Sequence, residues 1–136
     1  MAYTGGCYCG EIRYEASGDP QGALQCHCRE CQYITGSNPN VFVMIPEAEL
    51  HFTGGDLSSF QRTDIDNPVT RHFCPSCGTA VGTTTPGAPG VFVMKVGTMD
   101  NADFFQPDMA IFTKDAKSFH HIPDGLPSFE ELPTGF

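Results

Sequence analysis

The cysteines of this chain fall into three clusters: Cys7 with Cys9, then Cys26, Cys28 and Cys31, then Cys74 with Cys77. Any fold it adopts must satisfy seven thiols placed this way. Phe73-Cys74-Pro75-Ser76-Cys77-Gly78 has the form of a metal knuckle, in which a tight turn directs two sulfurs at one ion and Gly78 takes the dihedral that follows. Gly6-Cys7-Tyr8-Cys9-Gly10 is different. Residues two apart on a strand sit nearly ~7 Å apart, whereas tetrahedral zinc holds its sulfurs about 4 Å from each other, so the chain must bend here. Gly5, Gly6 and Gly10 permit the bend. Each pair is half of a four-cysteine shell, and the spacing predicts that Cys7, Cys9, Cys74 and Cys77 together form one closed structural zinc site.

Cys26-His27-Cys28-Arg29-Glu30-Cys31 supplies three thiols within one short segment. Three protein ligands with an exchangeable fourth position is the pattern of a catalytic zinc, so Cys26, Cys28 and Cys31 are the candidate catalytic ligands. Three thiolates leave the ion with a net negative charge, making it a weak activator of water and a good partner for a soft sulfur donor. A thiol substrate fits such a site better than hydrolysis does. The alternative is internal closure by a histidine. His27 would point away from its ligating neighbours on extended chain, which leaves His72, His120 and His121. An iron–sulfur cluster fits these spacings poorly. Thiol–disulfide exchange by Cys28 and Cys31 lacks the βαβ pattern that usually accompanies it.

The 136 residues suit one domain, and an odd number of thiols cannot all pair as disulfides. No apolar run approaches a membrane span and the start lacks a secretory signal, so the expected setting is cytoplasmic. Formal charge is −9, and seven thiolates carrying two zinc ions would make it more negative. Nucleic acid and membrane are therefore poor partners. An anionic small substrate would need local cations, for which Arg13, Arg29, Arg71 and Lys95 are the candidates.

Short β-type runs separated by Gly, Pro, Asn and Asp predict a mainly β fold with no major helix. Val41–Ile45 and Val91–Val96 read as strands buried on both faces. Further strands are expected at Glu11–Ala16, Glu49–Phe52, Ser58–Thr63, Val69–Phe73, Thr79–Thr83 and Ala110–Thr113. Val-Phe-Val-Met occurs at both 41–44 and 91–94, which shared strand composition or an internal duplication would explain. From Pro123 onward the chain reads either as a loose tail or, through Leu126, Phe129, Leu132 and Phe136, as an extended cover.

Taken in order, Gly-Cys-x-Cys-Gly (6–10) with Tyr14, Cys-His-Cys-x-x-Cys (26–31) with Gly36, and Phe-Cys-x-x-Cys-Gly (73–78) resemble the glutathione-dependent formaldehyde-activating enzyme family, which includes centromere protein V relatives. Gly97-Thr98-Met99-Asp100, Pro107 and the segment Pro123–Pro133 resemble its later motifs, whereas Phe119 stands where many relatives carry tryptophan. The resemblance implies a single zinc domain over residues 1–136 with the Mss4-like antiparallel β fold, 123–136 forming its extended C-terminal segment. It implies two zinc ions per chain, held by the two cysteine sets above. It further implies a carbon–sulfur lyase type of reaction, the joining of glutathione and formaldehyde as S-hydroxymethylglutathione. No general base is assigned; His27 and Glu30 adjoin the ligands, with surface contact or support of the ligands as their expected roles. A non-catalytic zinc scaffold or protein-interaction module is the competing reading.

Overall fold

The computed structural model describes residues 2–134. Phe136 lies outside them. In chain order the elements are β1 (Tyr3–Gly6), β2 (Arg13–Ala16), β3 (Gly22–Cys26), α1 (Arg29–Thr35), β4 (Asn40–Pro46), β5 (Leu50–Gly54), β6 (Ser58–Phe60), β7 (Thr70–Phe73), β8 (Ala80–Thr84), β9 (Val91–Lys95) and β10 (Met109–Ile111). The fold is mainly β, as the turn-punctuated sequence predicts, and Mss4-like, as the family resemblance implies. All eight expected strands are present with ends displaced by up to three residues. β1, β3 and α1 were not expected. Gly22–Cys26 has no β-branched or aromatic residue, and becomes a strand because it pairs along its whole length with β4. At seven residues α1 is too short for a helical period to declare itself.

Three strands in the order β1-β2-β5 form one sheet, and seven in the order β10-β3-β4-β9-β8-β7-β6 form the other. Neighbours run antiparallel except β10 and β3, which are parallel. Tyr14 and Ala16 from the small sheet pack with Val43, Ile45, Phe92 and Met94 from the large one in the main core. Gly82 lies where β8 passes this core, and a Cβ there would meet the Phe92 ring at 2.3 Å and the Val93 carbonyl at 2.4 Å. Only glycine allows so close a pass. Tyr14 also carries its hydroxyl into the interior. The Thr98 hydroxyl donates to the Lys95 carbonyl at 2.8 Å, so the Tyr14 O–H donates to Thr98 Oγ1, also at 2.8 Å.

The opposite face of the large sheet is not covered by strands. It carries a second apolar cluster of Leu24, Cys26, Cys31, Phe42 and Ile111, with Phe129 packed against it. The repeated tetrapeptides meet as antiparallel neighbours, Val43 opposite Met94 and Met44 opposite Val93. Because opposed residues share a face and side chains alternate, Phe42 and Met44 point away from the main core while Phe92 and Met94 point into it. Identical words therefore line opposite faces, so composition accounts for the repeat without a duplicated unit.

The described part of the tail is a cover. Backbone N–H groups of Ala110 and Phe112 donate to the carbonyls of Pro127 and Glu131, and Phe129 N–H donates to the Ala110 carbonyl. Residues 127–131 thus run beside β10, protecting an otherwise open sheet edge.

Candidate active site

Four sulfurs from distant parts of the chain meet at one end of the sandwich. Those of Cys7, Cys9, Cys74 and Cys77 all lie within 4.8 Å of one another. Cys7 to Cys9 is 3.6 Å and Cys9 to Cys74 is 3.9 Å, matching the edges of a tetrahedron built on Zn–S bonds of about 2.3 Å. After Gly6 the chain turns, with Gly10 N–H donating to the Cys7 carbonyl, which supplies the bend that the two-residue spacing demands. The knuckle is formed as expected. Ser76 and Cys77 N–H groups point at Cys74 Sγ, at 3.4 and 3.5 Å, and Gly78 sits at φ +77°. Ile12 N–H adds a third such contact, to Cys7 Sγ at 3.2 Å. The Thr79 hydroxyl, 3.2 Å from Cys77 Sγ, is the main influence holding that thiol down at about 5. These donors favour thiolates, the form a metal takes.

Cys26, at the end of β3, and Cys28 and Cys31, at the start of α1, form the second set, again within 4.8 Å. Cys28 caps the helix: its sulfur accepts from Cys31 N–H at 3.3 Å. Crowding divides the three thiols. Hydrogen bonds from Cys26 and Cys31 hold Cys28 at about 2, while the bond to Cys28 pushes Cys26 up to about 12, and those to Cys26 and Cys28 push Cys31 upward as well. Both sets have the donors, spacing and N–H support that zinc requires, so both could hold a metal ion.

Among the described residues no histidine or carboxylate joins the three sulfurs. His27 points away, as its place between two ligands predicts, and is fully buried. Gln25 Nε2 donates to the His121 carbonyl and to His27 Nε2, at 3.0 and 2.9 Å. His27 Nδ1 therefore carries the proton and donates to His120 Nδ1 at 2.9 Å, leaving His120 Nε2–H for the Ser37 carbonyl at 2.8 Å. Burial, then the neighbouring His120, lowers the pKa of His27, in keeping with a neutral ring. Gln32 completes the support by donating to the carbonyls of His27 and Asp115. His72 lies on the core face, bonded to Thr84 and packed against Phe92.

A cavity of about 540 Å³ opens over the three sulfurs. Its wall is apolar, formed by Phe42, Met44, Val69, Val93, Ile111 and Phe112, and Leu132 of the tail reaches its edge. Cations ring it. Arg71 pairs with Glu30 at 3.2 Å, and Arg62 pairs with the same carboxylate at 3.4 Å. Arg29 lies over the Tyr33 ring, Lys114 lines the cavity with its Nζ paired to Glu131 at 3.0 Å, and Lys117 stands with Arg29 in the adjoining hollow. Lys95 Nζ donates to Asn40 Oδ1 at 2.7 Å; burial lowers its pKa, opposed by the Cys31 thiol and assisted by Arg71. Arg13 is elsewhere, paired with Asp100. Three of the four expected cations thus reach the site, and Arg62, Lys114 and Lys117 join them. Sequence spacing gave no signal for these three, nor for the apolar wall, because tertiary folding of strands and the loops between them collects them from distant parts of the chain.

Two all-cysteine clusters on a Mss4-like frame, one of four sulfurs and one of three facing a cavity, define a β domain with two sets of thiols that could each hold a metal ion. The chain belongs to the glutathione-dependent formaldehyde-activating enzyme family, whose sequence model it matches over residues 2–115. A crystal structure of a Rhodobacter sphaeroides protein superposes with a TM-score of 0.60 at 18% identity, covering 74% of this chain and 91% of that one. That likeness concerns the fold. No curated protein matches this chain significantly.

Proposed function

We propose that this protein catalyses formation or cleavage of a carbon–sulfur bond between an anionic small thiol of the glutathione class and an aldehyde. The carrying observation is the distribution of charge. In a chain of net charge −9 with only seven lysines and arginines, six of them, Arg29, Arg62, Arg71, Lys95, Lys114 and Lys117, stand in or beside the cavity over Cys26, Cys28 and Cys31, and although Glu30, Asp64 and Glu131 pair with Arg62, Arg71 and Lys114, cations there outnumber their carboxylate partners. Such focusing raises the local concentration of an anion against the overall field. The family supports the same substrate class.

In this reading Cys7, Cys9, Cys74 and Cys77 hold a structural zinc, and Cys26, Cys28 and Cys31 hold the zinc of the reacting centre. When bound there, zinc supplies a soft Lewis acid suited to a sulfur donor. Arg29, Lys114 and Lys117 meet the carboxylates of the thiol and orient it toward the sulfurs. The apolar wall excludes water from the reacting groups, and holding both reactants in one cavity removes much of the entropic cost of their meeting. Gln25, Gln32 and the two histidines keep the ligand segment in place, a role of support consistent with the usual surroundings of metal ligands.

Exchange between free glutathione plus formaldehyde and their adduct, followed by NMR exchange spectroscopy, tests the proposal. The wild-type protein should accelerate exchange, and Cys28→Ser should abolish the acceleration while the four-cysteine site keeps its metal. No acceleration by fully metallated wild-type protein would refute it. A non-catalytic interaction module has one observation in its favour: Tyr33, Phe60 and Ile65 are exposed in the groove beside the cavity, Tyr33 by 76%. Failure of the exchange assay would favour that reading.

A further inference from the structure

The wall of the cavity is poorly matched to both reactants considered so far. Formaldehyde brings no carbon beyond its carbonyl, and a cavity of about 540 Å³ is far larger than it needs. Glutathione is charged at both ends with amides between, and its polar groups are suited to the Asn40, Thr83, Thr85, Arg29, Arg71 and Lys114 parts of the lining; laid against Phe42, Met44, Val93, Ile111 and Phe112 they would lose water without gaining hydrogen bonds. That apolar side of the cavity is continuous with the sulfurs, since Cys26 and Cys31 pack in the same cluster as Phe42 and Ile111.

Phe112 is placed there against a backbone preference. Its φ of +54° and ψ of +40° lie in the left-handed region, rare for a bulky side chain and costly enough to be notable where a ring lines a cavity. Its N–H and carbonyl are fixed by Glu131 and Asp115, so the tail holds the ring in position.

We infer that the aldehyde partner of this site is larger than formaldehyde: an aldehyde RCHO whose apolar R group, an alkyl chain of several carbons or an aryl ring, occupies the apolar side of the cavity beside Cys26 and Cys31. The inference rests on the proposed thiol–aldehyde chemistry. In the forward step the thiol sulfur bonds to the carbonyl carbon, the C=O π bond opens onto oxygen, and the proton lost by sulfur ends on that oxygen, giving R′S–CH(OH)R. No oxidant or reductant is needed. Each methylene buried contributes about fourfold, the equivalent of ~0.8 kcal/mol.

Exchange spectroscopy with the metallated full-length protein, glutathione and the series formaldehyde, acetaldehyde, butanal and hexanal tests this directly. Catalytic efficiency should rise along the series, hexanal exceeding formaldehyde by at least about tenfold over a few methylenes. Phe112→Gly removes the ring at a backbone position that glycine accepts, so the fold is kept, and the hexanal-to-formaldehyde ratio should fall at least about fivefold. Met44→Gln should lower the ratio too, and Met44→Leu should preserve it. Efficient turnover of formaldehyde with no gain for longer aldehydes would overturn the inference while leaving the thiol–aldehyde reading intact. Inactivity toward every aldehyde would overturn both.

Discussion

At the scale of single residues, the seven cysteines have unequal weight. Cys74 is fully buried and receives two N–H donors, while its sulfur joins residues 74–77 to residues 7–9 across a separation of 65 positions. Replacing it leaves a set of three, and apparent zinc-binding energies of about 10–16 kcal/mol in zinc-finger peptides exceed the stability of most small domains. Cys74→Ser should therefore be largely unfolded or aggregated and contain at most one zinc per chain, by circular dichroism and metal analysis. Unchanged melting with two zincs would contradict the structural role. Cys28→Ser puts a favoured capping residue at the N-cap of α1, where its hydroxyl oxygen can accept from Cys31 N–H as the sulfur does, so it should stay folded. The two substitutions separate folding from chemistry.

At the scale of elements, α1 and the C-terminal segment are joined through buried polar groups. His27, His120 and Ser37 form one directional chain, and Gln32 reaches from α1 to the Asp115 carbonyl. In His120→Ala the buried His27 Nδ1–H loses its acceptor, which costs about 1–3 kcal/mol. Chemical denaturation should register that loss, and hydrogen exchange should place it at α1 and residues 113–121. Protection unchanged at both would show that the chain carries no load. None of this was legible in sequence. His27 could be kept off the metal by alternation, yet its partner lies 93 positions away, and pairing over such distances leaves no local pattern. Strands were legible where apolar runs met turn residues, as at β4 and β9. β3 was not, because a central position between β10 and β4 makes a strand of a sequence with little preference for one.

At the scale of the molecule, the large sheet has a face packed on the small sheet and a face that carries the cavity. Both cysteine sets were legible because metal ligands are few in type and fixed in spacing. The cavity face was not, since beyond the cysteines and α1 its lining comes from β4 with three residues, from β7, β8, β9 and β10 with one each, and from the segments that join and follow them. On the packing face Tyr14 couples the fold to pH. It is 1% exposed, and burial pushes its phenol up to about 12. An unfolded tyrosine ionises near ~10. Stability from this group is thus fully present below about pH 10 and is lost as pH rises through about 12. Melting temperature of wild type should fall over that window more steeply than that of Tyr14→Phe. Equal slopes would locate the alkaline sensitivity elsewhere.

The two cysteine sets also differ in when they can exist. Cys26, Cys28 and Cys31 are complete as soon as residue 31 has been made, and closing so short a segment costs little entropy. The other set waits for Cys77, and its closure needs β1 and β7 brought together from opposite ends of a 65-residue separation. During synthesis the first three sulfurs are a chelator before there is a fold around them, free to take up whichever thiophilic ion is at hand. The later closure would then build the sheet, the wall and the tail over an ion already chosen. If the three-cysteine set holds a metal, its identity is in this sense a matter of timing as well as of ligand chemistry.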